Sequence, residues 1–266
     1  MALLLKLPNC YNCATIASSS ETNSILTGVK MNQMVKDFKV SCINCTLDEI
    51  CLPRGLSQHE VENLSIEVKN NISLQKGQYI YRQGDQFNMI VAIKSGSAKL
   101  VSNDEQGNEH ILNVLLPGEL IGFEGLFQNK YNCSAIALEN LSYCVLPVDK
   151  FDALCTKVPG IARELLKHSS EANNESQRQI IANKSSAEEK VAKFLINLSE
   201  RLRKRGYSAV QFNITLTRQE IGEHLGLTLE TVSRTLKQFE HANYLNVQRK
   251  FIEIKDLQGL RKIYTV

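Results

Sequence analysis

The spacing of apolar residues changes character along this chain. Between residues 72 and 147 they come in short alternating runs broken by glycine: ISLQKGQYIYRQGD, then MIVAIKSGSAKLVSNDEQGNEHILNVLLPGELIGF, then CSAIALENLSYCVLPV. Gly77, Gly84, Gly96, Gly107 and Gly118 recur roughly every ten residues, the rhythm of strands in an antiparallel barrel or jelly roll. On either side the period is helical. In LSQHEVENLSIEV, the apolar positions Leu56, Val61, Leu64 and Ile66 predict a short helix. After Pro147, VDKFDALCTKVPG predicts a short helix ending at Pro159-Gly160, with Cys155 on its core face beside Phe151, Leu154 and Val158. IARELLKHSSEANNESQRQIIANKS continues as a long helix. Its 4,3 repeat places Ile161, Leu165, His168, Ala172, Glu175, Gln179 and Ala182 on one seam with a polar centre. SAEEKVAKFLINLSERLRKRG gives a further helix, capped by Ser185 or Ser186, with Val191, Phe194, Leu195 and Leu198 inward.

The most informative helical pair lies at residues 217–239, TRQEIGEHLGLTLETVSRTLKQF. Ile221 and Leu225 mark the inner face of the first helix, Val232, Leu236 and Phe239 that of the second, and Leu225-Gly226-Leu227-Thr228 separates them. Gly226 permits the positive φ of a tight interhelical turn, and Thr228 can cap the second helix with Glu230 in its first turn. That helix turns Glu230, Thr231, Ser233, Arg234 and Lys237 outward. Glu230, Ser233 and Arg234 stand at i, i+3 and i+4, on one side of the end that enters a major groove. There Arg can donate twice to guanine O6 and N7, Glu can accept from cytosine N4, and Ser can reach phosphate or base. An isolated ExxSR would suit an ordinary charged surface helix. Here the helix before it and the segment after it favour DNA: YLNVQRKFIEIK predicts two strands around Arg249-Lys250, a wing that brings Lys250 to backbone phosphate, with Arg218 a further DNA contact.

Composition sharpens this reading. The 266 residues suffice for two domains, and 43% hydrophobic content supports a substantial core. The net charge of +3 is unevenly spread: residues 184–266 hold 15 Lys and Arg against 9 Asp and Glu, so the basic excess falls on the helix-turn-helix half. No run approaches the roughly 18 apolar residues of a membrane helix. MALLLKLPNC is too short and too interrupted for a secretory signal. A cytoplasmic protein with no membrane partner is expected, and in that reducing setting the eight cysteines point to metal or redox use rather than disulfides. Catalysis is not expected. A cupin-type oxygenase needs clustered His and carboxylate ligands, and of His59, His110, His168, His224 and His241 only His110 falls in the strand-rich region.

KGQYIYRQGD, IKSGSAKL, LPGELIGFEGLF and LTRQEIGEHLGLTLETVSR together resemble the cyclic-AMP receptor protein (CRP/FNR) family of bacterial transcription regulators over residues 77–254. The resemblance implies an α+β chain: an N-terminal cyclic-nucleotide-binding-like β-barrel or jelly roll, a long dimerisation helix and a C-terminal winged helix-turn-helix. It implies a homodimer on a two-fold symmetric double-stranded DNA site, and contact with RNA polymerase through loops such as NDEQGNEH. The expected divisions are a flexible extension over 1–40, in which Met31 or Met34 is an alternative start, a cysteine loop and sensor domain over 41–158, the dimerisation helix over 159–184 and the DNA-binding domain over 185–266. Members that bind cyclic AMP carry an Arg-Ser pair after the GEL segment. Here Cys133 takes the place of that Arg and only Ser134 fits, so a cyclic phosphate lacks its main charge partner and cyclic AMP is not the expected ligand.

Cys42-x2-Cys45-x5-Cys51 brings three thiolates into one short loop, and soft sulfur ligation selects iron-sulfur clusters or zinc. This loop, the distant Cys144 ahead of Pro147 and the Glu230/Ser233/Arg234 set resemble the oxygen-sensing FNR branch of the family. That branch implies one [4Fe-4S] cluster per chain on Cys42, Cys45, Cys51 and Cys144. The clustered dimer would bind a TTGAT-type half-site without oxygen, and oxygen would release it. A CRP-like regulator sensing zinc, thiol oxidation or nitric oxide is the competing reading. Ile50 and Leu52 flank Cys51 and either shield the cluster or simply pack. On the predicted seam Glu175 would meet its symmetry mate, a like-charge contact that leaves the dimer marginal and switchable, unless the seam lies elsewhere. Cys133 is an inert strand residue or a substitute ligand. Cys10-x2-Cys13 departs from the FNR pattern; pairing it with Cys42 and Cys45 in a zinc site would leave 28 residues between the pairs, beyond the usual spacing of about 15 to 20.

Overall fold

The fold, taken from a computed structural model, is described for residues 42–182 and 185–264. The expected extension over 1–40, with Cys10, Cys13, Met31 and Met34, lies outside the described residues.

A short 3-10 turn at Cys42–Asn44 opens the cysteine loop, which leads into α1 (Gln58–Glu67). Ser57 caps this helix, its backbone N–H donating to Glu60 Oε2 at 2.8 Å. Leu64 is fully buried, but Ile66 is 77% exposed. The expected short helix is present, and Ile66 lies outward because a residue two positions from Leu64 falls on the opposite side of an α-helix.

Eight strands follow: β1 (Lys69–Leu74), β2 (Tyr79–Tyr81), β3 (Met89–Ser95), β4 (Ala98–Asn103), β5 (Glu109–Leu115), β6 (Leu120–Ile121), β7 (Ser134–Ala137) and β8 (Leu141–Pro147). They form two four-stranded antiparallel sheets, ordered β1-β8-β3-β6 and β2-β7-β4-β5. The two-sheet jelly roll is therefore the form adopted, and among the described residues no closed barrel is present. Its core is branched and aliphatic, with Ile90, Val91, Ile93, Ile121 and Leu146 almost fully buried; at about 1.5–3 kcal/mol per such side chain, packing of this kind drives the fold. Gly96 shows why glycine punctuates the strands: φ is +77° and an added Cβ would lie 2.5 Å from the Asn140 carbonyl oxygen.

Two helices leave the jelly roll, α2 (Phe151–Lys157) and α3 (Pro159–Ala182). The break falls at Val158, and Pro159 begins α3 rather than ending α2, since a first-turn residue needs no N–H. Ile161 and Leu165 are buried with Leu154 and Val158 in the jelly-roll core. The predicted partner seam is thus corrected at its start: those positions are spent within the chain, while Leu166 on the outer side is 71% exposed.

The C-terminal half comprises α4 (Ala187–Arg203), β9 (Gln211–Asn213), α5 (Arg218–Leu225), α6 (Leu229–His241), β10 (Leu245–Gln248), β11 (Phe251–Ile254) and α7 (Leu257–Tyr264). Ser186, not Ser185, caps α4, accepting from the Glu189 N–H at 3.2 Å. Val191, Leu195, Ile221, Val232, Leu236, Phe239 and Leu260 form its core, which Val114, Leu116 and Leu138 of the jelly roll join.

Candidate functional site

Two sites follow from this architecture, one on α5, α6 and the β10–β11 turn, the other between the cysteine loop and β8. In the first, Thr217 caps α5 reciprocally with Glu220, at 3.1 Å from the Glu220 N–H and 2.8 Å to Glu220 Oε2. Gly226 ends the helix in the left-handed region, φ +64°, and Thr228 Oγ1 accepts the Thr231 N–H at 3.2 Å to start α6. Val232, Thr235, Leu236 and Phe239 face inward. Glu230, Arg234 and Lys237 are consequently exposed, with Thr231 and Ser233 half-buried at the edge of the same face. The wing is a tight antiparallel pair closed by Arg249 at φ +58°. Arg218 Nη2 donates to the Arg249 carbonyl at 3.3 Å, tying α5 to the wing tip, and its buried Nη1 has no partner among the described residues. Lys250 Nζ donates to the Thr215 carbonyl at 2.8 Å, and an ammonium retains two further donors. All seven predicted DNA residues thus lie on α5, α6 or the wing. The sequence reading missed Gly222, where a Cβ would sit 2.5 Å from the Leu227 carbonyl oxygen.

In the second site Cys42, Cys45, Cys51 and Cys144 line one cavity of about 30 Å³ whose other walls include Leu52, Val68, Ile90, Ile93 and Leu146. Cys144 reaches it from β8, paired with Ala92 of β3. Burial pushes the Cys51 thiol up to about 12 and the Cys42 thiol up to about 11; a Ser65 hydrogen bond pulls Cys42 partly back, and the neighbouring cysteines raise both further. Such thiols stay neutral until a cation displaces their protons. No three His, Cys, Asp or Glu among the described residues converge on a point that would suit a single metal ion. The four thiols line one apolar cavity, and an all-sulfur donor set of this kind suits an iron-sulfur cluster or zinc.

Leu52 lines this cavity and is nearly fully buried. Ile50 is packed instead on Gly118, where an added Cβ would be 2.8 Å from Ile50 Cδ1. Cys133 is elsewhere: its buried thiol donates to Glu124 Oε1 at 3.4 Å, the same oxygen that accepts from Tyr81 at 3.0 Å, and Tyr81 stacks on Tyr131 at 3.9 Å. Cys155 is half-buried against the jelly-roll core. Glu175 lies on α3, its side chain outside the described residues.

A set of contacts that the sequence did not reveal joins the two regions. Glu119 accepts from Arg201 Nε at 2.9 Å and Nη2 at 2.5 Å, and from Arg205 Nη2 at 2.7 Å. Lys99 of β4 pairs with Glu220 at 3.2 Å, and His224 Nδ1 lies 3.1 Å from the Ile111 carbonyl. Among the described residues no helix is long and apolar enough to cross a membrane.

Comparison with known proteins agrees with this architecture. Residues 71–158 match the cyclic nucleotide-binding domain family and residues 189–263 the Crp-like helix-turn-helix domain family. An anaerobic regulatory protein of Haemophilus influenzae is 38% identical over 222 residues, covering 83% of this chain and 86% of its own. The transcriptional activator protein Anr of Pseudomonas aeruginosa is 38% identical over 216 residues, 81% of this chain and 88% of its own. The fumarate and nitrate reduction regulatory protein of Yersinia pestis is 34% identical over 227 residues, 85% and 91% respectively. Among solved structures, FixK2 of Bradyrhizobium japonicum superposes with a TM-score of 0.68 at 23% identity, covering 74% of this chain and 97% of its own, which speaks to the fold. These relatives are regulators of transcription rather than enzymes. With the jelly roll, the winged helix-turn-helix and relatives of this similarity over most of its length, the chain belongs to the FNR-type anaerobic regulators of the CRP/FNR transcription-factor family.

Proposed function

We propose that this regulator responds to oxygen through one [4Fe-4S] cluster held by Cys42, Cys45, Cys51 and Cys144, and binds DNA as a homodimer when oxygen is absent. The observation that carries the reading is the convergence of those four cysteines, three from one loop and one from β8, on a single apolar cavity. When bound, the cluster would supply an oxygen-labile cross-link between loop and strand. Leu52 limits access of water to it, and Ser65 offers Cys42 a hydrogen bond. Glu230, Ser233 and Arg234 read the bases of a TTGAT-type half-site, Thr231 and Lys237 flank them, and Arg218 and Lys250 meet the phosphates. Two copies give the two-fold symmetric site. RNA polymerase is the expected partner at promoters, as the activator name of the Pseudomonas relative suggests. Cyclic AMP is not the signal: the Cys133–Glu124–Tyr81 group presents a thiol and a carboxylate where a phosphate needs a cation.

The test is the visible spectrum, with iron and sulfide analysis, of protein purified without oxygen and then aired. Broad absorbance with about four irons per chain, bleaching in air, is the expected result. A colourless, iron-free protein after anaerobic reconstitution would sink the cluster and leave zinc or thiol oxidation as the input.

A further inference from the structure

The geometry points to Glu119 as the positioning residue that couples the cysteine loop to the DNA-binding domain. The loop that supplies three of the cysteines and the strand that lines the cavity both reach the dipeptide Gly118-Glu119. On the loop side, Ile50 occupies the space that a side chain at Gly118 would need, 2.8 Å from an ideal Cβ, and Gly118 is held at φ +86°. On the strand side, Ile93 lines the cavity and brackets the dipeptide through its backbone: the Gly118 N–H donates to the Ile93 carbonyl at 2.7 Å, and the Ile93 N–H to the Glu119 carbonyl at 3.0 Å.

Beyond the dipeptide the connection is ionic. The Glu119 carboxylate holds both Arg201 and Arg205, and the two guanidinium groups also grip the preceding backbone, Arg201 at the Val114 carbonyl and Arg205 at the Pro117 carbonyl, the latter at 2.5 Å. Arg201 stands in the last turn of α4 and Arg205 just past its end. α4 packs on α6 and α7, so the placement of its C-terminal end is passed to the recognition helix. Charge-assisted, multidentate bonds of this kind are directional, unlike the apolar contacts around them, and transmit a shift rather than slide under it.

The cavity supplies the input. Loading it would tie Cys42, Cys45 and Cys51 of the loop and Cys144 of β8 to one group, and so change how the loop that carries Ile50 is held against the strand. That loading is what moves the loop rests on the cluster reading above; that loop movement reaches α4 through Glu119 does not.

The two parts are tested separately in the full-length protein. In metal-free protein, Ile50→Ala should speed hydrogen exchange of the backbone amides of residues 199–206 about threefold, and should add nothing when Glu119 is already Gln. Unchanged exchange in Ile50→Ala, or an equal increase in both backgrounds, overturns the relay whether or not the chain holds iron. In anaerobically loaded protein, the wild type should bind operator DNA about tenfold or more tighter than its iron-free form. Glu119→Gln should narrow that gap to about twofold with iron content unchanged, and Glu119→Asp should recover part of it. A full gap in Glu119→Gln removes the coupling role; iron-free wild-type protein would fault the cluster reading alone, with the exchange measurement still deciding the relay.

Discussion

Gly222 of α5 and Leu227 of the interhelical turn are in contact through backbone alone: the Leu227 N–H donates to the Gly222 carbonyl at 2.8 Å, and a methyl group on Gly222 would lie 2.5 Å from the Leu227 carbonyl oxygen. The angle between α5 and α6 is set by this approach. Gly222→Ala should therefore destabilise the DNA-binding domain by about 1–3 kcal/mol, an overpacking cost, even though alanine is the better helix former. Thermal unfolding checks it, and a variant as stable as wild type would mean that the turn relaxes freely.

Arg234 is exposed on α6 beside Glu230 and Ser233, whereas Lys250 sits at the wing with its ammonium on the Thr215 carbonyl. Arg234→Ala should cost about 1–3 kcal/mol on operator DNA and relax preference at one guanine, while Lys250→Ala should weaken specific and random DNA alike and lower the salt slope by about one. Titrations on both DNAs at two salt concentrations separate them. Equal losses on both DNAs for Arg234→Ala would remove it from base reading.

These residues were legible in the chain because their signals are local. The Thr228 cap, Gly226 and the apolar positions Val232, Leu236 and Phe239 all act within a turn or two of helix. The three loop cysteines were legible in their spacing, but the fourth only by resemblance, since Cys144 is placed by its pairing with Ala92, a register that alternation alone does not fix. Glu119 was invisible for the same reason: its partners Arg201 and Arg205 lie 82 and 86 residues away. The seam on α3 was misread at Ile161 and Leu165 because a 4,3 repeat records which side is apolar, not whether that side is covered by the same chain or by a second copy.

That correction yields its own prediction. Ile161 is fully buried in the jelly-roll core, so Ile161→Ala should lower monomer stability by about 2–5 kcal/mol. Leu166 faces outward, and if α3 carries the dimer contact on that side, Leu166→Glu should weaken self-association with little change in unfolding of the isolated chain. Sedimentation equilibrium alongside denaturant unfolding distinguishes them. Dimers undisturbed by Leu166→Glu would place the contact on another face of the helix.

Acid should reach the joint at Glu119 only below the ordinary glutamate range. Burial alone would raise the affinity of this carboxyl for a proton, but the guanidinium groups of Arg201 and Arg205 outweigh it and hold the group below the ordinary glutamate range. The folded protein then binds that proton less readily than the unfolded chain does. The resulting stabilisation is fully present above the unfolded value, about pH 4.3, and is lost as pH falls through the lower folded one. Glu119→Gln removes the titration, so its stability should fall less steeply with acid below about pH 4.3 than that of wild type, although it is the less stable protein at neutral pH. Denaturant unfolding of metal-free protein at a series of pH values provides the comparison. Parallel acid limbs would show that Glu119 titrates in the folded protein as it does in the unfolded chain, and hence that the two arginines do not hold its charge.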